Sequence, residues 1–230
     1  MTIHGLQKLT LLDYPGKTAC TVFTAGCNLR CPFCHNASLV TRINDSGIMT
    51  EEEFFMFLGK RRGILDGVCI TGGEPLLQND IRDFIIKIKK AGFLVKLDTN
   101  GFMSSRLSRL TDEKLIDYIA MDIKNSPAKY AVTSGIEALN IDEIYQSIET
   151  ILNSGIDYEF RTTAVFEYHD ISDFCAIAEM IKGAKAYYIQ NFEDSGDTVV
   201  KGLHPLPEKM LLEAREEAMK ILSHVVIRGI

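Results

Sequence analysis

Residues 18–35 read Thr-Ala-Cys-Thr-Val-Phe-Thr-Ala-Gly-Cys-Asn-Leu-Arg-Cys-Pro-Phe-Cys-His. The first part is rich in β-branched, aromatic and small residues, the composition of a buried strand. It passes without a linker into Cys27, Cys31 and Cys34, which places three thiols on the loop that follows a strand. Parallel α/β folds build their active sites on such loops. Thiolates at this spacing wrap one metal centre, and two centres compete. A zinc ion takes four ligands, which His35 could complete, whereas a cubane 4Fe-4S cluster can be held by three cysteines with its fourth iron left open. Structural zinc is usually gripped by two paired ligand knuckles, and no second pair follows downstream.

Outward from this stretch, β-rich runs alternate with helical patterns, which argues for a parallel sheet of βαβ units. Strands are expected at 18–23, 67–71, 94–98, 118–122, 158–164 and 186–190. Helix ends are marked by a Thr50/Glu53 capping box and by Gly92, which stops the periodic stretch Ile81, Phe84, Ile85, Ile88. Thr111 and Ser172 read as similar N-caps, and Gly155 and Gly183 as similar stops. Pro207 suits the first turn of a last helix carrying Met210, Leu211, Ala214, Ala218, Ile221 and Leu222, before a short strand near 225–227. Six βα units are too few to close an eight-stranded barrel of ~250 residues. The expected architecture is α/β, a partial (β/α)6 barrel with an open side, in which 1–17 form an N-terminal extension and 18–230 the barrel domain.

The composition excludes several classes of function. With 46% apolar and 24% charged residues, the chain is an ordinary globular one of 230 residues. No segment approaches the ~20 apolar residues of a membrane span, and no secretory leader opens it, so no membrane is expected and the cytoplasm is the expected location. A net charge of −6 with scattered Lys and Arg offers no basic stripe, so nucleic acid is not an expected partner. Six cysteines are too few for a disulfide scaffold at this length. Cys20, Cys69 and Cys175 stand among apolar neighbours and read as core residues, as do the scattered His4, His169, His204 and His224 as core or surface ones.

The run Cys-x3-Cys-x2-Cys, with aromatic Phe33 before the last cysteine, resembles the signature of the radical S-adenosylmethionine enzymes. The resemblance implies a 4Fe-4S cluster on Cys27, Cys31 and Cys34. Its open iron would chelate S-adenosylmethionine, and cleavage would give a 5′-deoxyadenosyl radical. Other strand ends agree. Val68-Cys69-Ile70 ends in Thr71-Gly72-Gly73-Glu74-Pro75, which looks like the family's methionine-binding motif, with Gly73 and Glu74 near the ligand's amino group. The next strands end in Asp98-Thr99-Asn100-Gly101 and Asp122-Ile123-Lys124, and later ones deliver Arg161 and Gln190 toward the same face. Taken singly, each of these is ordinary turn chemistry; together they suit a zwitterionic sulfonium ligand.

Within that family, Leu12-Asp13-Tyr14-Pro15-Gly16, the ending Cys34-His35-Asn36, Asp98-Thr99-Asn100-Gly101, Met121-Asp122-Ile123-Lys124 and Tyr188-Ile189-Gln190-Asn191-Phe192 resemble the activases of glycyl radical enzymes, most of all the anaerobic ribonucleoside-triphosphate reductase activating proteins. By that resemblance, Asp98, Thr99 and Asp122 lie near a monovalent cation beside the ligand carboxylate. Lys124 and Arg161 hold the ligand, and Phe33 meets adenine through its backbone; His35, from its place beside Cys34 alone, is expected to shape the cluster pocket or meet the nucleoside. The implied reaction abstracts the Cα hydrogen of a glycine in a partner glycyl radical enzyme under anaerobic conditions. No side chain serves as a general acid or base, and flavodoxin or ferredoxin supplies the electron. Two other readings stand beside it: radical chemistry on a small molecule of the deazaguanine type, and a non-catalytic iron-sulfur or zinc module.

Overall fold

The computed structural model describes residues 1–43 and 47–229. In chain order the elements are β1 (Gly5–Thr10), β2 (Ala19–Thr24), α1 (Ala37–Thr41), α2 (Glu51–Gly59), β3 (Gly67–Gly72), α3 (Ile81–Lys90), β4 (Leu94–Thr99) and α4 (Ser104–Asp112). They continue with β5 (Tyr118–Asp122), α5 (Tyr130–Ser134), α6 (Ile141–Asn153), β6 (Asp157–Ala164), α7 (Ile171–Met180), β7 (Tyr187–Asn191), α8 (Glu208–Met219) and β8 (Val225–Arg228). One sheet runs in the order β1-β2-β3-β4-β5-β6-β7-β8, parallel from β2 to β8, and it does not close. This is the expected partial barrel: the six expected strands are β2 to β7, and the short last one is β8.

One strand was not anticipated. Residues 5–10 pair antiparallel with β2, Gly5 opposite Phe23 and Thr10 opposite Ala19, with a register shift between. Their side chains are largely exposed, so β1 is held by its backbone bonds and carries no buried stripe for periodicity to reveal. Among helix ends, the Thr50/Glu53 capping box forms, and Gly92 and Gly155 follow their helices with positive φ. Thr111 and Ser172 are corrections. Thr111 lies at the end of α4, buried, with its hydroxyl on the Leu107 carbonyl, and Ser172 lies inside α7, whose capping box is Asp170 with Asp173. Leu107 and Leu110 belong to the helix before Thr111, so the helical pattern had begun earlier than its cap signal suggested.

Alternation along the strands divides the molecule. Val22, Val68, Ile70, Val95, Leu97, Ile119, Met121, Phe160, Tyr187 and Ile189 pack with helix residues such as Phe84, Ile88, Leu107, Ile148 and Phe174 into one core. The intervening residues of β3 to β8 include Cys69, Lys96, Asp98, Tyr118, Asp122, Glu159, Arg161 and Arg228, which bond to one another. The face toward the helices is therefore apolar, and the inner face is polar and charged. Cys20 and Cys69 are fully buried as expected, while Cys175 is only partly so. Among the described residues, no helix is long and apolar enough to cross a membrane.

Candidate functional site

Loop 25–36 leaves the C-terminal end of β2 and is tied on four sides by backbone bonds. The Gly26 carbonyl accepts from Glu74 N (2.8 Å), Gly26 N donates to Leu39 O (2.8 Å), Arg30 N donates to Ser134 O (2.8 Å), and the Pro32 carbonyl accepts from Val200 N (2.9 Å). The two glycines after β3 make this approach possible. A Cβ on Gly73 would stand 2.0 Å from the Gly26 carbonyl oxygen, and one on Gly72, at φ +116°, 2.3 Å from Thr24 O.

The loop forms one wall of a cavity of about 230 Å³. Cys27, Cys31, Cys34, Phe33 and His35 line it from the loop, Gly73 from the β3 end, Asp98 and Thr99 from β4, Asp122 and Lys124 from the β5 end, and Arg161 from β6. Gln190 of β7 lines it too. Of the residues singled out in the sequence, Glu74 alone is not brought to the wall. It is fully buried behind it, accepting from Leu76 N (3.0 Å), the Thr99 hydroxyl (3.0 Å) and Asn100 N (2.7 Å). Burial pushes its carboxyl up to about 7 despite these bonds.

Within the cavity, the Asp122 carboxylate accepts from Arg161 Nε (2.9 Å) and Lys124 Nζ (3.0 Å). Asp98 accepts from Arg161 Nη1 (3.3 Å) on one oxygen and from Lys96 on the other. Burial would raise both carboxyls; Arg161 first, then Lys124 at Asp122 and Lys96 at Asp98, hold them below the usual range. Burial opposes the charge on Lys124 and Arg161 in turn, and their carboxylate partners keep it in place. Phe33 is buried against Val165, Phe192 and Leu203, and the His35 ring stacks on Phe192 at 5.4 Å. Burial lowers the affinity of His35 for a proton, favouring the neutral ring.

Several side chains were missed in the sequence. Asn100 Nδ2 reaches Cys27 Sγ (3.6 Å) and Asn28 Oδ1 (2.8 Å), tying the third strand-end turn to the first cysteine. Asn100 belongs to the Asp-Thr-Asn-Gly turn already noted, so its neighbours were the available signal. Lys96 stands two residues before Asp98, hence on the same face, and a lysine inside the apolar run Leu94-Val95-Lys96-Leu97 was a readable sign of a charged interior. His169 was set aside as bland. It is buried, with Nε2 3.0 Å from the Lys124 carbonyl and its ring 6.1 Å from Phe33, so it braces the loop bearing Lys124 against the cysteine loop.

The donor set fits a cluster better than one ion. Among the described residues, no three or more His, Cys, Asp or Glu side chains converge on a single ion-sized point, yet the three thiols face one shared cavity. Burial raises the Cys27 thiol and pushes Cys31 up to about 12, so a metal centre held by them would have to displace their protons.

Comparison with known proteins agrees with this geometry. The family model described as the Radical SAM superfamily matches residues 21–181. A Methanocaldococcus jannaschii protein with the provisional name of glycyl-radical enzyme activating enzyme is 36% identical, over 99% of this chain and 96% of its own. Pyruvate formate-lyase-activating enzyme of Clostridium pasteurianum is 30% identical over 65% of this chain, which spans 63% of that enzyme. Among solved structures, Streptococcus suis SuiB bound to S-adenosylmethionine superposes with a TM-score of 0.67 at 16% identity, covering 90% of this chain and 49% of that one. A chain with three thiols on the loop after its first parallel strand, a charged cavity at the strand ends and this family match belongs to the radical SAM superfamily: it is an enzyme whose cofactors are a 4Fe-4S cluster and S-adenosylmethionine.

Proposed function

We propose that this enzyme removes a hydrogen atom from the Cα of a glycine in a partner protein, and that the partner is an anaerobic ribonucleoside-triphosphate reductase. The observation that carries the reading is the likeness along almost the entire length of both chains to the M. jannaschii protein named for activating glycyl radical enzymes. The pentapeptide Leu12-Asp13-Tyr14-Pro15-Gly16 and the tract Tyr188 to Phe192 favour the reductase as partner.

In this reading Cys27, Cys31 and Cys34 would hold the cluster, which would supply the electron for cleaving S-adenosylmethionine to methionine and the 5′-deoxyadenosyl radical that takes the hydrogen. The protein's own part is placement and exclusion of water. Lys124 and Arg161, fixed in their charged forms by Asp122 and Asp98, bind the methionine carboxylate. Gly73, Phe33 and His35 line the cavity, where the Gly73 backbone would receive the methionine amino group and Phe33 and His35 would form the adenine side. No side chain moves a proton. The electron arrives from a flavodoxin or ferredoxin.

The test is anaerobic incubation of the reconstituted enzyme with S-adenosylmethionine, strong reductant and a reductase carrying α-deuterated glycine. The expected result is a glycyl radical signal on the reductase by electron paramagnetic resonance, with deuterium recovered in 5′-deoxyadenosine. Formation of 5′-deoxyadenosine without radical or deuterium transfer would remove the proposed partner. Failure to form it at all would remove the activity.

A further inference from the structure

The resemblance noted in the sequence implies a monovalent cation beside Asp98, Thr99 and Asp122, and these residues do not fit one. Both oxygens of Asp98 are taken, one by Lys96 Nζ and the other by Arg161 Nη1 at 3.3 Å. Both oxygens of Asp122 are taken as well, by Arg161 Nε at 2.9 Å and Lys124 Nζ at 3.0 Å. The Thr99 hydroxyl donates to Glu74 at 3.0 Å and accepts from Gly101 N at 3.1 Å. Three cations thus share two carboxylates, and Glu159, which Arg161 also approaches at 3.8 Å, is held by Arg228 at 2.9 Å. An added ion would enter a shell that already holds an excess of positive charge, where Coulomb repulsion opposes it and few oxygen lone pairs remain.

Lys96 is what sets this arrangement. Its side chain is 1% exposed and does not line the cavity; it lies behind Asp98, with the Tyr118 ring 5.9 Å away and Cys69 Sγ at 3.8 Å. A buried ammonium persists only when paired, and Asp98 is its carboxylate partner. We propose that the Lys96 ammonium is a cation built into the chain, which neutralises Asp98, orients Arg161 and makes binding of S-adenosylmethionine independent of any monovalent metal ion. Lys96 is a positioning residue: it acts on the cofactor through Asp98 and Arg161. With it in place the cluster of side chains keeps one surplus positive charge, which matches the single negative charge of a methionine carboxylate.

The test measures S-adenosylmethionine binding to the cluster-loaded enzyme by equilibrium dialysis, in potassium, sodium or tetramethylammonium chloride at equal ionic strength. Wild-type affinity is expected to change by less than about twofold among the three salts. Lys96→Met is expected to lose about tenfold in tetramethylammonium and to regain most of it in potassium or sodium, since the small ions can then enter beside Asp98. A wild-type affinity that falls tenfold without potassium and sodium overturns the proposal. So does a Lys96→Met enzyme that binds as wild type does in all three salts. A second readout needs neither cofactor nor variant: crystals of the wild-type protein soaked in rubidium are expected to show no anomalous peak between Asp98 and Asp122, and a peak there overturns the proposal. If the enzyme binds no S-adenosylmethionine in any salt, the cofactor assignment itself fails, and the rubidium result still decides whether Lys96 fills the cation's place.

Discussion

Glu74 shows how a residue's type is readable when its task is not. A carboxylate after two glycines at a strand end looked like a group facing the ligand, yet it is turned inward to hold the Thr99-Asn100 turn. The difference lies in backbone direction after Gly73, where the close approach to Gly26 swings the chain; no pattern of side chains encodes it. Its buried carboxyl, raised from 4.5 to about 7, has a consequence for stability. Between those two values the folded chain holds a proton that the unfolded chain has released, so stability falls as pH rises through that window, by at most about 3 kcal/mol. Urea midpoints of the metal-free wild type are expected to drop between pH 5 and pH 8, with a smaller drop for Glu74→Gln. Asp98, Asp122 and Lys124, by contrast, could be placed from the sequence because each sits at or beside the end of a strand, the cysteines because their loop follows one directly, and Arg161 because it lies on the inward-facing period of β6.

At the level of elements, β2 to β7 were legible because short runs rich in β-branched and aromatic residues recur between helical patterns. β1 was not, since its pairing with β2 leaves most of its side chains exposed, with only Leu6 touching the core and Thr10 buried, and so shows no periodic apolar stripe. The start of α4 was misplaced because Met103, its N-cap position, offers no side-chain cap, whereas Thr111 near its other end carries the chemistry of one. The loop between β3 and α3 gives the sharpest test of element packing. Gly73→Ala sets a methyl group against the Gly26 carbonyl, and either β3 or the cysteine loop must move. A loss of about 1–3 kcal/mol in thermal or urea stability is expected, together with a fall in bound iron and sulfide per chain. Gly155→Ala, at a helix end with nothing near the added Cβ, is the control: strain from its positive φ costs about 1 kcal/mol and leaves iron content unchanged.

Across the whole molecule, the sheet and its helices form one core that stands apart from the loops bearing the site. The partial barrel was therefore legible from periodicity. The charged interior was only partly so, because pairings such as Glu159 with Arg228 join residues 69 positions apart. With the cluster removed by a chelator, the amides of Gly26, Arg30, Glu74 and Val200, which make the four backbone ties on the cysteine loop, are expected to keep their protection from hydrogen exchange as the strands do, and fast exchange there would show that the loop depends on the cluster. The four backbone ties on the cysteine loop bear on what the metal has to accomplish. Because Gly26, Arg30 and Pro32 are held by backbone bonds to the turn after β3, to α5 and to the chain after β7, none of them made through a thiol, a cluster bound by Cys27, Cys31 and Cys34 would find little conformational entropy left to remove from the loop. The affinity of such a cluster would then go into the iron-sulfur bonds rather than into folding the chain.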